Sequence, residues 1–470
     1  MRILLPTGAA TEETVRKAVA GFDADVVVTG EIASFLTPHK LHTLIGKGKY
    51  DLVIVSGMCT ASFEKVERET GVPVYRGPRH AADLTFILPL LDTITLSRTV
   101  PADEFLTAKK AGDAMYRIDQ LEQEAVADFV IRGVKIGGGS RMKVLAEIMD
   151  AHRCEDLWEK VEQFFFAGAD IVDLGFGFDA TPEDVSRAFS LVADIDRPLA
   201  VDTQDPLLIR AALGRADIVL SLQEKNIPVI GREVAEAGAA AVIVPGDSTL
   251  KKNIAMAKRA GIACIIADPL LQPVGSGLVA SLKNFKDVGC PLFFGAGNVV
   301  ELLDADSIGA NALLAGMAKE VGASIIFSSE HSDKTRGSIR EMRQAVEMMV
   351  LTRERPYPKD LGIDLLVLKE KRRRREPPVE YETVITAKTM PDEITYDPKG
   401  NFRIGIEGDQ IIAAINGKAV RGKHWQDVLA TIISHGDVTL LDHAGYLGRE
   451  LYKAELAIRY GRSFEQDGEF

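Results

Sequence analysis

Residues 291–337 read PLFFGAGNVVELLDADSIGANALLAGMAKEVGASIIFSSEHSDKTRG. This segment contains two short apolar runs, at residues 291–294 and 323–327, separated by a helical pattern over residues 310–320. The first run leads directly into GAGN and the second into SSEH. Parallel α/β sheets carry their functional residues at the carboxyl ends of the strands. The segment therefore predicts two strand–loop–helix units of a parallel sheet.

Eight apolar runs of this kind occur between residues 130 and 327, and helical patterns separate most of them. The runs lie at residues 130–136, 170–174, 198–201, 217–220, 240–244, 262–267, 291–294 and 323–327. The first ends in GGGS, and the helical patterns that follow it lie at residues 143–150 and 157–167. Barrel strands are buried on both faces, so near-continuous apolar runs are expected instead of alternation. An open doubly wound sheet is the alternative, but eight units with polar strand ends favour a closed (β/α)8 barrel.

The predicted fold class is α/β, with a central (β/α)8 TIM barrel between two smaller domains. A chain of 470 residues exceeds the size of one core, so several domains are expected. Their predicted order is a flavodoxin- or Rossmann-like doubly wound α/β domain, a helical connector, the barrel, a basic proline-containing linker and an α+β domain. Their predicted bounds are residues 1–97, 98–129, 130–353, 354–379 and 380–470.

The composition excludes several classes of protein. A net charge of −12 argues against a nucleic-acid binder, and the basic run at residues 371–375 is typical of a solvated linker. No apolar run reaches the length of a membrane helix, and the first residues lack the apolar core of a signal peptide. The 4 cysteines form no CxxC pair, which is typical of buried thiols in a reducing compartment. We expect a cytoplasmic protein with neither nucleic acid nor membrane as partner.

Polar residues at the strand ends should meet at one mouth of the barrel. These residues are Asp173, Asp202, Ser221, Asp247, Asp268, Asn298 and His331. Several carboxylates close together suit a ligand that is rich in N–H donors, such as an aminopyrimidinone ring. A metal site is the competing interpretation. Such a site requires a more compact set of histidine and carboxylate ligands, and the predicted mouth has one histidine, so no metal ligands are assigned.

Two loops are candidates for binding a phosphate. The first follows the last strand, where His331, Lys334 and Arg336 precede a helix whose free backbone N–H groups could hold an anion. The alternative is a solvated loop in which Asp333 pairs with a neighbouring cation. The second candidate is the GGGS loop, with Arg141 and Lys143, for which a structural turn is the alternative.

Three motifs resemble the pterin-binding barrel family. They are GADIVDLG at residues 168–175, Val201-Asp202-Thr203 and Asp268-Pro269, and the resemblance covers residues 130–350. The family includes dihydropteroate synthases and pterin-dependent methyltransferases that feed corrinoid proteins. The whole architecture is similar to archaeal dihydropteroate synthase-like proteins associated with tetrahydromethanopterin.

The resemblance implies roles for particular residues. Asp202 and Asp268 would bind the pyrimidine ring of a reduced pterin, and Asp173 would lie near the mouth. The family has an asparagine after strand 4, where this chain has Leu220-Ser221, so Ser221 is the expected substitute.

The strand-7 motif separates the subfamilies. Dihydropteroate synthases carry a serine-arginine-lysine motif there, whereas this chain has Gly295-Ala296-Gly297-Asn298-Val299. That sequence is similar to the methyltransferases, in which the asparagine bonds the pterin near N5. Gly295 and Asn298 are therefore expected at the pterin.

The resemblance to the synthases is incomplete at two other strands. After strand 8 the synthases hold an anion with an Arg-Val-His-Asp motif. Here His331 matches the histidine, Ser329 takes the arginine position, and Lys334 or Arg336 would replace its charge. The synthases' Asn-x-Thr-x-Asp motif, which helps to bind a metal-diphosphate, is missing from the first strand.

Three functions remain open at this point. The first is a transferase that joins a hydroxymethyl-dihydropterin diphosphate to an arylamine in tetrahydromethanopterin biosynthesis, with Mg²⁺ as an optional cofactor. The second is a methyltransferase, or a methyl-pterin-binding subunit, that passes a methyl group from a reduced pterin to a corrinoid partner. The third is a non-catalytic pterin-binding protein. Asn298 and His331 are the candidate catalytic residues, and a homodimer is a family expectation.

The C-terminal segment, with DPKG at residues 397–400 and HAGYLGREL at residues 443–451, resembles a small module that accompanies these archaeal proteins. His443 is expected to bond to backbone at the start of a helix, with a metal-ligand role as the alternative.

Overall fold

A computed structural model describes residues 1–286, 288–353, 357–359, 361–369, 381–387 and 395–469. The chain forms two compact units, Met1–Pro377 and Pro378–Phe470. The basic run at residues 371–375 lies outside the described residues. Among the described residues, no helix is long and apolar enough to cross a membrane.

The first unit begins with a small doubly wound α/β domain. Its four parallel strands lie in the order β2-β1-β3-β4, with helices between them along the chain. The strands are β1 (Ile3–Thr7), β2 (Ala24–Val28), β3 (Leu52–Val55) and β4 (Val74–Arg76). The helices are α1 (Glu12–Ala18), α2 (Pro38–Ile45), α3 (Glu64–Thr70) and α4 (Leu84–Ile87). Apolar residues fill both faces of the sheet, as expected for parallel strands covered by helices.

A long helix, α5 (Ala102–Glu124), follows this domain and packs against the last barrel helix. An antiparallel hairpin comes next, formed by β5 (Phe129–Ile131) and β6 (Val134–Ile136). Its two-residue turn, Arg132-Gly133, has φ of 40° and 80°. Positive φ at both central positions matches the right-handed twist of hairpin strands.

The barrel closes from eight parallel strands within the described residues. The ladder runs β12-β11-β10-β9-β8-β7-β14-β13, and a parallel bridge between Ala267 and Leu292 joins its two edges. The strands are β7 (Lys143–Ile148), β8 (Ile171–Gly175), β9 (Leu199–Asp202), β10 (Ile218–Leu222), β11 (Ala240–Ile243), β12 (Ile265–Ala267), β13 (Phe293–Phe294) and β14 (Ile325–Ser329). The predicted (β/α)8 barrel is therefore confirmed.

Helices pack around the outside of this barrel. They are α6 (Leu157–Ala167), α7 (Pro182–Leu191), α8 (Pro206–Ala212), α9 (Ile227–Glu236), α10 (Leu250–Arg259), α11 (Leu278–Ser281), α12 (Ala296–Glu301), α13 (Ser307–Glu320) and α14 (Ser338–Leu351). The apolar layer between helices and strands is the largest core of the molecule, and a smaller one fills the barrel interior.

The prediction of the first barrel strand was wrong. Residues 130–136 form the hairpin, whereas residues 143–150, predicted as a helix, contain the first strand β7. Lys143 and Glu147 make this segment look amphipathic, but its residues are almost continuously buried, as in a strand packed on both faces. The GGGS loop consequently lies at the amino-terminal end of the barrel, opposite the mouth.

One helix was not predicted. Strand β13 has only two residues, and α12 begins immediately after Gly295. Asn298 therefore lies in the first turn of a helix instead of in a loop.

The second unit is an α+β domain, as predicted. Three antiparallel strands, β15 (Arg403–Glu407), β16 (Gln410–Ile415) and β17 (Lys418–Gly422), form a meander. Two helices, α15 (Trp425–Ser434) and α16 (Leu441–Tyr460), bury their apolar sides against it.

His443 does not take the backbone bond that the sequence predicts. Its Nδ1 lies 3.2 Å from Oδ2 of Asp397, a buried carboxylate that also accepts the backbone N–H groups of Thr439 and Leu440. Asp397 thus fixes the start of α16, and His443 completes this structural network.

Candidate functional site

Three carboxylates meet at the mouth of the barrel, at the ends of neighbouring strands. Glu147 on β7 lies opposite Asp173 on β8, and Asp202 on β9 lies opposite Gly175. One oxygen from each of the three carboxylates lies within 4.8 Å of the other two. Because the strands belong to one hydrogen-bonded ladder, the rigid barrel fixes the spacing of these groups.

Asp173 is fully buried, and neither of its carboxylate oxygens has a hydrogen-bond partner among the described residues. Burying a polar group without a partner costs free energy, and burying a lone charge costs considerably more. A protein normally satisfies such a group with its own donors. Asp173 is therefore arranged to meet a proton, a cation or a donor on a ligand.

The pKa values of these carboxyls reflect their crowding. Burial, followed by repulsion from Asp202 and Glu147, raises the pKa of Asp173 well above its usual range. Burial and the charges of Asp202 and nearby acids raise the pKa of Glu147 to about 7. Burial raises the pKa of Asp202 to about 6. Three like charges are not stable together here without a positive or donating partner.

Asp268 follows β12 and is also buried, with 8% of its surface exposed. Its Oδ1 accepts the backbone N–H of Leu270 at 2.8 Å, in a turn where Leu270 has a φ of 63°. Burial raises the pKa of Asp268 to about 7; the bond from Leu270 opposes this shift and the charge of Asp202 adds to it. One carboxylate oxygen is thus held by the loop, while Oδ2 has no hydrogen bond to a described residue.

Ser221 lies at the end of β10 and is partly buried. Its carbonyl accepts the side-chain amide of Asn226 at 3.1 Å. The side-chain N–H of Asn226 also donates to the backbone carbonyl of Gln204, and the side-chain oxygen of Asn226 accepts the backbone N–H of Gln223. Asn226 therefore holds the loops together, and Ser221 remains the polar side chain predicted for this strand end.

Asn298 lies in the first turn of α12, which follows the seventh barrel strand, β13, and its side chain is exposed. Gly295, just before it, is buried. A Cβ atom at position 295 would lie 3.7 Å from Nδ2 of Asn298, which is ordinary van der Waals contact. The role of Asn298 at the pterin stays a prediction.

The loop predicted to bind phosphate already holds an anion, the side chain of Glu301. Its carboxylate accepts the backbone N–H of His331 at 2.9 Å and the hydroxyls of Ser332 and Thr335 at 2.5 and 2.7 Å. Burial of Glu301 acts to raise its pKa, but these hydrogen bonds outweigh burial and lower it. The internal carboxylate of Glu301 therefore occupies this backbone N–H group and both hydroxyls, and phosphate binding by the loop stays a prediction.

The remaining donors of this region are also largely occupied. Glu330 accepts the backbone N–H of Ile339 at the start of α14, and Lys334 pairs with Asp304 at 3.0 Å. Arg336 has no ion-pair partner among the described residues. It lines an open cleft of about 700 Å³ together with His331 and several acids, namely Glu155, Asp156, Glu159, Glu330 and Asp333. Of the three side chains predicted here, His331 and Arg336 are exposed and form no ion pair within the described part of the chain.

Arg141 and Lys143 do not belong to the mouth, which corrects the prediction of a second phosphate site. Arg141 forms a bidentate pair with Asp170, at 2.8 and 2.6 Å, at the amino-terminal end of the barrel. Lys143 pairs with Glu122 of α5 at 3.0 Å, and burial lowers its pKa to about 8. Lys143 therefore joins the connector helix to the barrel floor. A cavity of about 530 Å³ beside these residues is lined by the GGGS loop and Arg353.

Sequence reasoning missed two residues of the mouth. Glu147 was hidden because its strand was taken for a helix, and an acidic residue after an apolar run, VLA, was the available signal. Glu301 was missed because α12 was not predicted. A further cluster, Asp150, His152 and Asp179, lies on the loops after β7 and β8, where Arg153 also pairs with Asp179.

The chain is similar to known proteins over different parts of its length. The uncharacterized protein MJ0107 of Methanocaldococcus jannaschii is 34% identical over 517 aligned residues, covering 99% of this chain and 98% of the relative. The family model PterinBD-DUF4346 matches residues 396–467, which lie in the C-terminal domain.

Solved structures are similar to the barrel region. A dihydropteroate synthase from Thermus thermophilus, in complex with 6HMPPP, is 20% identical with a TM-score of 0.37, covering 44% of this chain and 93% of that protein. The synthase from Yersinia pestis is 21% identical with a TM-score of 0.38, and the similarity covers 48% of this chain and 98% of that protein. The predicted resemblance to an archaeal pterin-binding (β/α)8 barrel family is confirmed, and with the relative matched from end to end the chain belongs to the family of the Methanocaldococcus jannaschii protein.

Proposed function

We propose that this chain binds a reduced pterin at the barrel mouth and is a dihydropteroate synthase-like transferase. The observation that carries the proposal is the set of buried carboxyls whose acceptor oxygens the protein leaves unused. Asp173 has two such oxygens. Asp268 is buried and commits Oδ1 to the backbone of Leu270.

An aminopyrimidinone ring fits these acceptors. It presents a ring N–H and an amino group side by side, and one carboxylate can accept both. Asp268 and Asp202, whose charges interact, are the residues proposed to hold this edge of the pterin. Ser221, Gly295 and Asn298 complete the pocket on the other strand ends.

The proposed reaction joins a hydroxymethyl-dihydropterin diphosphate to an arylamine of the tetrahydromethanopterin pathway. The C–O bond to the diphosphate breaks, a C–N bond forms at the pterin methylene, and the amine loses a proton. The protein's part is to position both substrates and to stabilise the leaving group. His331 and Arg336 are the exposed groups proposed to face the diphosphate, since Lys334 is paired with Asp304.

Asn298 supports a second candidate function, methyl transfer. An exposed amide at the end of strand 7 could donate to N5 of a methylated reduced pterin and make its methyl group more electrophilic. The transfer would move the methyl group to a corrinoid partner. Among the described residues the mouth has several acids and few unpaired cations, which also suits a ligand without a diphosphate.

Calorimetric titration with three ligands tests the proposal and separates the candidates. The ligands are 6-hydroxymethyl-7,8-dihydropterin, its diphosphate and a methylated tetrahydropterin. The synthase interpretation expects the diphosphate to bind at least tenfold more tightly than the alcohol, and expects release of diphosphate when an arylamine is added. Tighter binding of the methylated pterin, weakened by Asn298→Ala, would favour methyl transfer.

A matched control is Asp247→Asn. This carboxylate follows strand β11 but is exposed and pairs with Lys225 at 3.1 Å. Its replacement should leave pterin binding unchanged. If none of the three pterins binds, the proposed function is wrong.

A further inference from the structure

We infer that the cavity at the amino-terminal end of the barrel binds a small organic phosphate. The cavity measures about 530 Å³ and is lined by the GGGS loop and by the carboxyl-terminal ends of α13 and α14. Sites for small ligands usually measure about 300–1,000 Å³. The inference is independent of the proposed function, because the barrel strands separate this end from the mouth.

Two cations line this cavity without an acidic partner. Lys319 belongs to the last turn of α13, and Arg353 follows α14. Lys319 donates to the hydroxyl of Thr352, and Arg353 donates to the backbone carbonyl of Gly139, so both side chains bond to neutral groups. Neither cation forms an ion pair with a residue that the structure describes. The cavity therefore has positive charge that an anion can balance.

The two positive charges also act on each other. Burial lowers the pKa of Lys319, and the charge of Arg353 lowers it further, while the charge of Glu320 opposes the shift. A cation held beside a like charge is less stable than one in water, and a negative partner removes this penalty. An anion bound between Lys319 and Arg353 would stabilise both.

The remaining charged groups of the cavity wall leave the balance positive. Asp128 is exposed, and its Oδ2 accepts the backbone N–H of Gly138 at 2.7 Å. Arg141 is neutralised by Asp170 in the bidentate pair described above. The site therefore depends on Lys319 and Arg353 and does not use Arg141 and Lys143, the two cations for which the sequence predicted phosphate binding.

The rest of the wall suits a phosphate that carries an apolar group. Within the described part of the chain, the backbone N–H of Gly139 donates to no acceptor, and a Cβ atom at this position would meet nothing within 4 Å. Lysine provides a compact charge and arginine a planar fork of donors, and both bind phosphate oxygens. Apolar side chains of Met142, Val346 and Met349 line the same cavity and can contact a ring or a carbon chain.

A ligand in this position would connect parts of the chain that lie far apart in sequence. It would contact the loop at Gly139, the end of α13 and the end of α14 together. Any ligand that binds the folded chain in preference to the unfolded chain raises its stability. Binding should therefore raise the melting temperature.

Calorimetric titration of the full-length protein in phosphate-free buffer tests the site, with inorganic phosphate and phenyl phosphate as probes. We expect phenyl phosphate to bind at one site per chain, more tightly than inorganic phosphate, and to raise the melting temperature. Lys319→Gln and Arg353→Gln should each weaken its binding roughly tenfold or more, because each removes a charged hydrogen-bond donor. Circular dichroism confirms that both variants fold.

Two control variants remove cations elsewhere. Arg232 forms an exposed pair with Glu236 on α9, so Arg232→Gln should bind phenyl phosphate as the native protein does. Arg336→Gln removes the unpaired cation near the mouth and should also keep this binding.

Three results would overturn the inference. They are no binding of phenyl phosphate, native-like binding in both Lys319→Gln and Arg353→Gln, and loss of binding in Arg336→Gln alone. Inorganic phosphate that binds as tightly as phenyl phosphate would overturn the assignment of an organic phosphate. The proposed function is tested separately, because Asp268→Asn should still bind phenyl phosphate and Lys319→Gln should still bind dihydropterin.

Discussion

Replacement of Asp268 by asparagine should weaken dihydropterin binding without unfolding the loop that carries it. The loop depends on the hydrogen bond from the Leu270 N–H to Oδ1, which is 2.8 Å long. The amide oxygen of asparagine can accept the same bond. The substitution therefore removes mainly the negative charge and one acceptor that the proposed ligand would use.

The size of the effect follows from the kind of bond that is lost. A hydrogen bond to a charged group contributes about 1.5–3 kcal/mol. A loss of this size raises Kd by roughly 10- to 150-fold. Asp247→Asn, which removes an exposed carboxylate at a neighbouring strand end, should change Kd less than twofold.

The pH dependence gives a second measure of the same group. Burial raises the pKa of Asp268 to about 7 in the ligand-free protein, and the ligand's N–H groups need the ionised form. About a tenth of such a group is ionised at pH 6 and about nine-tenths at pH 8. Native affinity should therefore rise roughly tenfold over this range, and this rise should diminish in the variant.

Fluorescence or calorimetric titrations with 6-hydroxymethyl-7,8-dihydropterin at pH 6, 7 and 8 measure both quantities. An unchanged Kd in Asp268→Asn would refute the assignment of Asp268 as a pterin ligand. A native pH dependence that survives in the variant would assign the titration to another carboxyl.

Three further predictions concern stability. Asp173→Asn should raise the melting temperature at pH 8 but not at pH 5. Burial favours the protonated form of Asp173, so this acid stabilises the fold below its raised pKa. The stabilisation is lost as the pH rises through that pKa. Arg141→Met should cost about 3–5 kcal/mol in urea unfolding, since it leaves Asp170 buried with a weaker partner. The exposed pair of Arg232 offers the control, and Arg232→Ala should cost less than about 1 kcal/mol. Glu301→Gln should speed amide hydrogen exchange in residues 331–335 at least tenfold while global stability changes little, and unchanged exchange would contradict its role as the loop's internal anion.

The barrel could be predicted from the sequence because parallel strands buried on both faces leave a strong apolar signal. Seven of the eight predicted runs overlap barrel strands, and the motifs at Asp202 and Asp268 fall at strand ends. The prediction of the first barrel strand failed because Lys143 and Glu147 are spaced as polar residues are on one face of a helix. Only tertiary structure shows that one of them lies at the barrel floor and the other at the mouth.

The candidate site was less predictable, because the sequence does not show which residue a charged side chain pairs with. The cations of the GGGS region and of the last loop look alike in sequence. In the structure, Arg141 and Lys143 pair with acids far along the chain, whereas Arg336 has no ion-pair partner among the described residues. Glu301, which occupies the predicted anion site, comes from the helix hidden after β13.

Buried carboxylates have partners at one end of the barrel and lack them at the other among the described residues, and this contrast supports the proposal that the mouth is the functional end. At the floor, Asp170 is buried but bound by two guanidinium groups, which lower its pKa despite burial. At the mouth, Asp173 is fully buried, yet no described residue donates to it, and its pKa is raised. The same chain can therefore supply partners for buried carboxylates, and it does so where a carboxylate only has to hold the fold together. Asp173 lies only three residues after Asp170 and has no partner among the described residues, which implies that something other than the protein satisfies it.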